Sequence, residues 1–390
     1  MAPAAPGGGG LRFQVAWSAA AVHTTRATNG CAQTMNIVYG VSGEGLGHVF
    51  EAVEVATRLK GEGHNVRVLT YGERACALLR DFNPTRIAGI NLHFNREGMS
   101  LVDTTLGNLG IFPFYLRNWR RLRRELAAFR PDAFITAYEP FSTFASHALG
   151  TPLISMDNQN ELLHVRPAPE ARTFGLRLVQ LATRVCTYGA AHYVVKSFEK
   201  PENCERNVHF VSPVIQTVIR RLEPTTGQHV LVYLTKPNAE LIGVMKTMSE
   251  SFLVYCNNRV GEDGNISYRA PGEGYLRDLC ACKAIIGTTG FSLIADAIYL
   301  RKPYYGVPLR KQFEQTHNAR FLGRSGLGEF SEKPSRQDLE RFLASLPTYR
   351  ERLARYRFDP QEQVEVLLGL LREVGPRPAA GPPEEAGVPR

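Results

Sequence analysis

Twice in 390 residues a short apolar run leads into a glycine-containing loop and then into a helical pattern. No other feature constrains the fold as much. Near the first of these, NIVYGV at 36–41 gives way to SGEGLGH, after which Phe50, Val53, Ala56 and Leu59 recur at three-residue steps. Val55 fills in beside them, and Gly61 and Gly63 stop the pattern, as expected for a helix with one apolar face. Near the second, AIIG at 284–287 gives way to TTGFS and another helical pattern. Further strand-like runs accompany each: VRVLT at 66–70, AFITA at 133–137 and LISM at 153–156 in the first half, with a helical stretch over Ser142–Leu149. VLVYL at 230–234, FLVYC at 252–256, ISYR at 266–269 and PYYGV at 303–307 belong to the second half. Strand and helix patterns in alternation predict parallel sheets covered by helices on both faces. The fold class is therefore α/β, with two Rossmann-like domains facing across a cleft.

The changeover falls where Pro213, Pro224 and Gly227 cluster. The expected division is a leader over 1–34, a first domain over 35–213, a linker over 214–227 and a second domain over 228–356. A C-terminal helix over 357–374 and a Pro- and Gly-rich mobile tail over 375–390 complete it. The leader contains Gly7 to Gly10, and Gln14 and Ser18 interrupt its apolar stretch, so it reads as an upstream start or a disordered extension rather than a targeting peptide. No apolar run reaches the length of a membrane-spanning helix. Hydrophobic residues at 44% and charged residues at 21% exclude a wholly disordered chain, a collagen-like repeat and a disulfide-stapled miniprotein. Forty-six Lys plus Arg against 37 Asp plus Glu leave a net charge of +9, which favours nucleotides, phospholipid surfaces or nucleic acid as partners without choosing among them. Seven cysteines, an odd number without regular spacing, fit a reducing cytoplasm.

Three segments carry candidate chemistry. In Gly43-Glu44-Gly45-Leu46-Gly47-His48 the glycines leave room for a ligand beside a helix start. The dinucleotide fingerprint is not met: the loop is GxGxG followed by His48, and Glu73 is no clear strand-end acid. At the helix start the dipole disfavours a cationic His48, which leaves it either a base or a histidine that packs and caps a tight turn. In the second segment, Gly287 to Asp296, the amides of Gly290, Phe291 and Ser292 after Thr289 would point at a pyrophosphate without any need for a metal. Asp296, one turn beyond Ser292, suits two ribose hydroxyls; an ordinary capped helix with a surface Asp fits equally. In the third, Pro308 to Ala319, Glu314 and Gln315 stand side by side, able to bracket vicinal hydroxyls or simply to open a solvated helix.

Other features compete for attention. Tyr115–Arg130 is an amphipathic helix with Trp119, Leu122, Leu126 and Phe129 on one stripe and Arg117, Arg120, Arg121 and Arg124 opposite. It fits a membrane surface or an anionic acceptor, and equally a solvated outer face; no nucleic-acid module accompanies it. Cys280 and Cys282 have the wrong spacing for a zinc knuckle and read as structural thiols, so no metal site is expected. Asn265-Ile266-Ser267 fits a glycosylation sequon that a cytoplasmic location would leave inert.

Together and in this order, the three segments resemble the two-domain GT-B glycosyltransferases, above all the MurG-like branch. YGVSGEGLGH resembles that family's first-domain glycine loop, and CKAIIGTTGFSLIADAIYLRKPYYGVPLRKQFEQTHNARFLGRSGLG resembles its donor-binding signature. The resemblance implies that Gly45, Gly47, Thr289, Gly290, Phe291 and Ser292 surround the donor diphosphate. Asp296 would hold the ribose, Glu314 and Gln315 the transferred sugar, and Tyr268 and Arg269 the base. His48 would stand as the acceptor-side base. PDAFITAYEP at 131–140 resembles the strand-end acidic segment, but Ala137 replaces the usual Asp, leaving Glu139 or Asp157 as the carboxylate. The last helix would pack back on the first domain. The implied activity is inverting, metal-independent sugar transfer from a nucleoside diphosphate sugar with no cofactor. Uridine diphosphate is the family's habitual carrier, with thymidine and guanosine diphosphates open. The acceptor, whether small, lipid-linked or anionic, is not legible; its specificity would lie in loops of the first domain, notably Asn91 to Phe114. The implied setting is the cytoplasm, with peripheral contact at the inner membrane face through Arg117, Arg120, Arg121 and Arg124. A nucleotide-sugar epimerase of the same fold and a non-catalytic polyanion-binding protein are the alternatives.

Overall fold

The computed structural model describes residues 33–43, 46–89, 94–95, 98–99, 106–165, 174–256, 259–270, 272–309, 312–357 and 359–376. Most of the expected leader and tail, Gly45 of the first glycine loop, and Pro271 beside Arg269 lie outside the described residues, as does much of the expected acceptor region over 91–114.

Seven strands form the first sheet: β1 (Asn36–Val41), β2 (Asn65–Thr70), β3 (Thr85–Arg86), β4 (Ala133–Ala137), β5 (Leu153–Asp157), β6 (His192–Lys196) and β7 (Val208–Val211). Their order is β3-β2-β1-β4-β5-β6-β7, and every pairing is parallel. β4 and β5 are buried along their whole length, which is why they read as unbroken apolar runs. α1 (Leu46–Gly61) follows β1 and lays Val49, Ala52, Val55, Ala56 and Leu59, all fully buried, against Ile37, Tyr39 and Val41. Each valine or leucine among them contributes roughly 1.5–3 kcal/mol. Where β1 turns toward α1, a Cβ on Gly43 would stand 1.9 Å from the Tyr71 carbonyl oxygen, so only glycine fits that passage. α2 (Ile111–Phe129) and α3 (Pro140–Ala148) cover the opposite face, burying Leu122, Leu126 and Phe141 with Phe134 and Leu153. α4 (Phe174–Thr187) packs beside α3, and the Thr143 hydroxyl donates to the Cys186 carbonyl.

The second sheet comprises β8 (Val230–Tyr233), β9 (Phe252–Tyr255), β10 (Gly261–Asp263), β11 (Ile266–Arg269), β12 (Ala284–Gly287), β13 (Tyr304–Gly306) and β14 (Gly328–Phe330). Their order is β10-β11-β9-β8-β12-β13-β14, parallel except for the edge strand β10. With β10 set aside, both sheets run 3-2-1-4-5-6 from one edge, the Rossmann order. α5 (Phe291–Tyr299) follows β12, and α6 (Phe313–Ser325) follows β13. The C-terminal α7 (Glu362–Val374) returns to the first domain, where Leu367 and Leu371 join Val194 and Val211 in its core. No helix among the described residues is long and apolar enough to cross a membrane.

β3, β6, β7, β10 and β14 are strands that the apolar runs did not announce. β10 is short and exposed, and β6 and β7 carry His192, Lys196 and His209 among their valines.

Candidate active site

In a sheet of this order a ligand site forms beyond the carboxyl ends of the strands where the winding reverses. That point lies between β1 and β4 in one sheet and between β8 and β12 in the other. α1 begins at the first reversal and α5 at the second, and the two starts meet across the cleft. A Cβ on Gly47 would lie 2.9 Å from the Ser292 hydroxyl oxygen. One turn on, Glu51 of α1 stands close enough to Asp296 of α5 to act on its charge. Two helix starts converge on one point, each adding partial positive charge. Gly290 caps α5 in an extended conformation, and with no side chain of its own it offers that helix start no capping bond.

His48 sits in the first turn of α1. Its Nε2 is 3.4 Å from Gln159 Nε2, its ring stacks on Tyr138 at 6.4 Å, and its buried Nδ1 has no hydrogen-bond partner among the described residues. Burial, then the Lys196 ammonium, lowers its pKa to about 4 against the opposing pull of Glu51, so the imidazole is neutral at neutral pH. Tyr138 holds φ at 55°, a costly setting for an aromatic residue, and this puts its ring beside His48.

Asp157 ends β5 with one oxygen accepting from the Gln159 amide at 3.0 Å and the other, Oδ2, buried and unpaired among the described residues. Burial raises it to about 6 against the attraction of Lys196 and two amides. The next residues span the cleft: Asn158 Nδ2 donates to Glu314 Oε1 and Gln159 Nε2 to Glu314 Oε2, both at 3.1 Å. Burial and the nearby Asp157 push the Glu314 carboxyl up, and those amides pull it down. Beside them, His317 of α6 pairs with Glu161 at 3.1 Å. Among the described residues, His48 Nδ1, Asp157 Oδ2, Gln159 Oε1 and Asn160 Oδ1 are buried without partners. Native proteins seldom leave such atoms unpaired, and the cluster marks where a polyhydroxylated ligand would complete the bonding.

Other expected site residues stand further back. Glu139 is fully buried, and its two oxygens accept from the amides of Phe141 and Ser142 at 2.7 Å each, capping α3. Burial lifts its pKa to about 7. That geometry gives Glu139 to the helix start, and of the two carboxylates expected beside His48 it leaves Asp157 as the one next to Gln159. The Thr289 hydroxyl is buried and donates to the Gln315 carbonyl at 2.7 Å, bracing β12 against α6 rather than facing a donor. The Gln315 side-chain oxygen accepts from the Leu309 amide at 3.0 Å, which braces the same loop. Phe291 packs its ring on Phe198 of the first domain at 4.5 Å, so only its backbone is offered to the cleft. Tyr268 is 4% exposed with the Arg259 guanidinium 3.7 Å over its ring, whereas Arg269 beside it is exposed. Asp296 is half-buried, and burial with Glu51 nearby lifts it to about 8.

Glu51, Asn158, Gln159 and Lys196 were not singled out from sequence. The signal was present as polar residues at positions where the apolar pattern calls for core, Glu51 on the inner face of α1 and Lys196 closing HYVVK, and as the polar run after β5.

Comparisons with known proteins bear on the fold and the family. No curated protein matches the chain. A glycosyltransferase of kitacinnamycin superposes with a TM-score of 0.65 at 13% identity, covering 88% of this chain and all of that one. MurG of Acinetobacter baumannii gives 0.55 at 16% identity over 86% of this chain and 99% of its own. The glycosyltransferase VinC, in complex with DTDP, gives 0.55 at 14% identity over 87% and 98%. At these identities the likeness is one of fold, GT-B in each case. The model of glycosyl transferase family 1 matches residues 35–347. That span holds both sheets and every candidate side chain above, and the chain belongs to glycosyl transferase family 1.

Proposed function

We propose that this enzyme moves a sugar from a nucleoside diphosphate sugar to an acceptor hydroxyl with inversion and without a metal ion. The observation that carries the reading is the convergence of the α1 and α5 starts on one point, with His48 on one rim and Glu314 on the other. The donor diphosphate would lie at the start of α5 on the amides of Phe291 and Ser292 and the Ser292 hydroxyl. Asp296 would take the ribose, Glu314 the sugar hydroxyls now mimicked by the Asn158 and Gln159 amides, and Arg269 the base edge. The acceptor O–H attacks the anomeric carbon from the face opposite the diphosphate, and His48 takes its proton. The bond from that carbon to the diphosphate oxygen breaks, and the nucleoside diphosphate departs with the electron pair. Preorganised amides and helix starts stabilise the charge that develops on it. The arriving diphosphate also favours the imidazolium, so His48 becomes a stronger base once the donor is bound. Uridine diphosphate is the proposed carrier; VinC, a fold neighbour, is in complex with DTDP, which makes thymidine diphosphate the second choice.

A panel of nucleoside diphosphates in a thermal-shift assay, with and without EDTA, tests the donor reading. One pyrimidine diphosphate should raise Tm in both buffers. No shift with any base would remove the cleft assignment, and a shift abolished by EDTA would remove metal independence. Proton NMR of the product anomer decides inversion, and an epimerised donor without transfer would favour the alternative enzyme class.

We further propose peripheral contact with an anionic membrane surface through α2. Leu116, 67% exposed, shares a stripe with Arg120 and Arg123 by helical spacing, with Arg117, Arg121 and Arg124 beside it. Phe144 of α3, 56% exposed, extends the apolar patch next to Trp119 at 4.7 Å. Arginines around exposed apolar side chains suit an interface of lipid headgroups and acyl chains.

A further inference from the structure

The first domain buries a lysine where its own pattern calls for an aliphatic. Along β6, Val194 and Lys196 point to one face, and the register partner of Lys196 on β7 is Val211. Val194, Val211 and Met156 of β5 all belong to the apolar layer beneath α1. The Lys196 side chain is 1% exposed and its ammonium is bonded to the Glu51 carboxylate, itself 8% exposed. Glu51 is three residues after His48 on α1, and therefore on the same face. Exchanging a buried ion pair for well-packed aliphatics is often neutral or stabilising, so stability alone gives no reason for this one.

Its surroundings do. The groups that face His48 are Glu51 from its own helix, Lys196 from β6, the Gln159 amide after β5 and the Tyr138 ring after β4. Asp157 and Glu314 complete the pit, and the charge of Lys196 acts on both. Transfer needs a neutral imidazole and a carboxylate at the same pH, two groups that burial alone would hold neutral together. A single buried cation favours both, because it repels an imidazolium and attracts a carboxylate.

We propose that Lys196 is a positioning residue for the transfer reaction: bonded to Glu51 and buried beneath the cleft, it is a fixed positive charge set between the start of α1, which carries His48, and the end of β5, which carries Asp157. This rests on the reading of His48 as the base.

The test compares wild type with Lys196→Met, Lys196→Arg and Glu51→Gln. His48 is titrated by heteronuclear NMR in the ligand-free protein, and the pH profile of kcat/KM is recorded for donor consumption. Lys196→Met should move the His48 inflection upward by roughly 1 unit and lower kcat about tenfold or more. Lys196→Arg should keep the wild-type inflection, and Glu51→Gln should move it downward. A merely structural role would lower Tm and leave the inflection in place, and that result overturns the proposal. So does an upward shift in Glu51→Gln. If Lys196→Met does not fold, the downward shift in Glu51→Gln remains the deciding measurement. Absence of sugar transfer by the wild type removes the parent reading and the proposal with it, whereas transfer with an unmoved inflection removes the proposal alone.

Discussion

The histidine at the start of α1 has the sharpest consequences of any single residue. His48→Ala should lower kcat by about 10²–10⁴ while donor affinity stays within a few-fold, because in the proposed reaction the imidazole meets the acceptor proton and not the diphosphate. Isothermal calorimetry with the donor nucleotide, run beside turnover, separates the two quantities; near-normal turnover removes His48 from the mechanism. Glu139 and Asp157 separate just as cleanly. Glu139→Gln weakens a two-amide cap, which should cost about 1 kcal/mol in stability and leave kcat within a few-fold. Asp157→Asn should lower kcat with little change in Tm, since one of its oxygens has no partner to lose. The reverse pattern would return Glu139 to the reaction. Sequence alone left these two acids level. The choice depends on which oxygens the local backbone engages, and Pro140 at the first position of α3 was the sequence signal that Glu139 stands at a cap.

At the scale of elements, the strands and helices flanking the two glycine loops were legible because their inner faces are buried and apolar and the first helix is stopped by glycine. NIVYGV and AIIG are the strands expected, and α1 ends at Gly61. The polar loop after β5 was less legible. The apolar run stops at Met156, yet the strand continues to Asp157, and Asn158 and Gln159 beyond it reach across to Glu314. A cross-domain contact has no periodicity to betray it, since it depends on how two sheets face each other. The α2 surface makes an element-scale prediction. An arginine near an anionic bilayer contributes about 1 kcal/mol, so Arg120→Ala with Arg124→Ala should weaken binding to phosphatidylserine vesicles roughly thirtyfold. Leu116→Glu should weaken it further. Sedimentation with anionic and with neutral vesicles reads this, and equal partitioning to both, or none, would leave α2 a solvated outer face.

The molecule as a whole stores unfavourable carboxylate burial along its cleft. Folded pKa values of about 6 at Asp157, about 7 at Glu139 and about 8 at Asp296 all lie above the unfolded range. A raised carboxylate binds more protons folded than unfolded, so its contribution to stability is present at low pH and is lost as pH rises through the folded value. His48 works the other way, binding fewer protons folded than unfolded, but only between about 4 and its usual 6.5. The net expectation is clearest above that, from 6.5 to about 8, where Tm should fall as pH rises. The slope is at most about 1.4 kcal/mol per pH unit for each carboxylate still protonated. Asp296→Asn should flatten it, and a Tm that climbs across this window would contradict the burial described for the cleft.

The same arrangement explains why the fold is easier to read than the partner. Two Rossmann halves are written in patterns of period 2 and 3.6, whereas no such pattern marks the base or the acceptor, and the proposed base contact is a single exposed side chain, Arg269. The place of the diphosphate carries the most weight in the proposed reaction. A crystal structure with uridine diphosphate measures it directly: phosphate oxygens should lie within hydrogen-bond distance of the Phe291 and Ser292 amides and the Ser292 hydroxyl, facing His48 across the cleft. A diphosphate bound away from the start of α5 would contradict the proposed reaction.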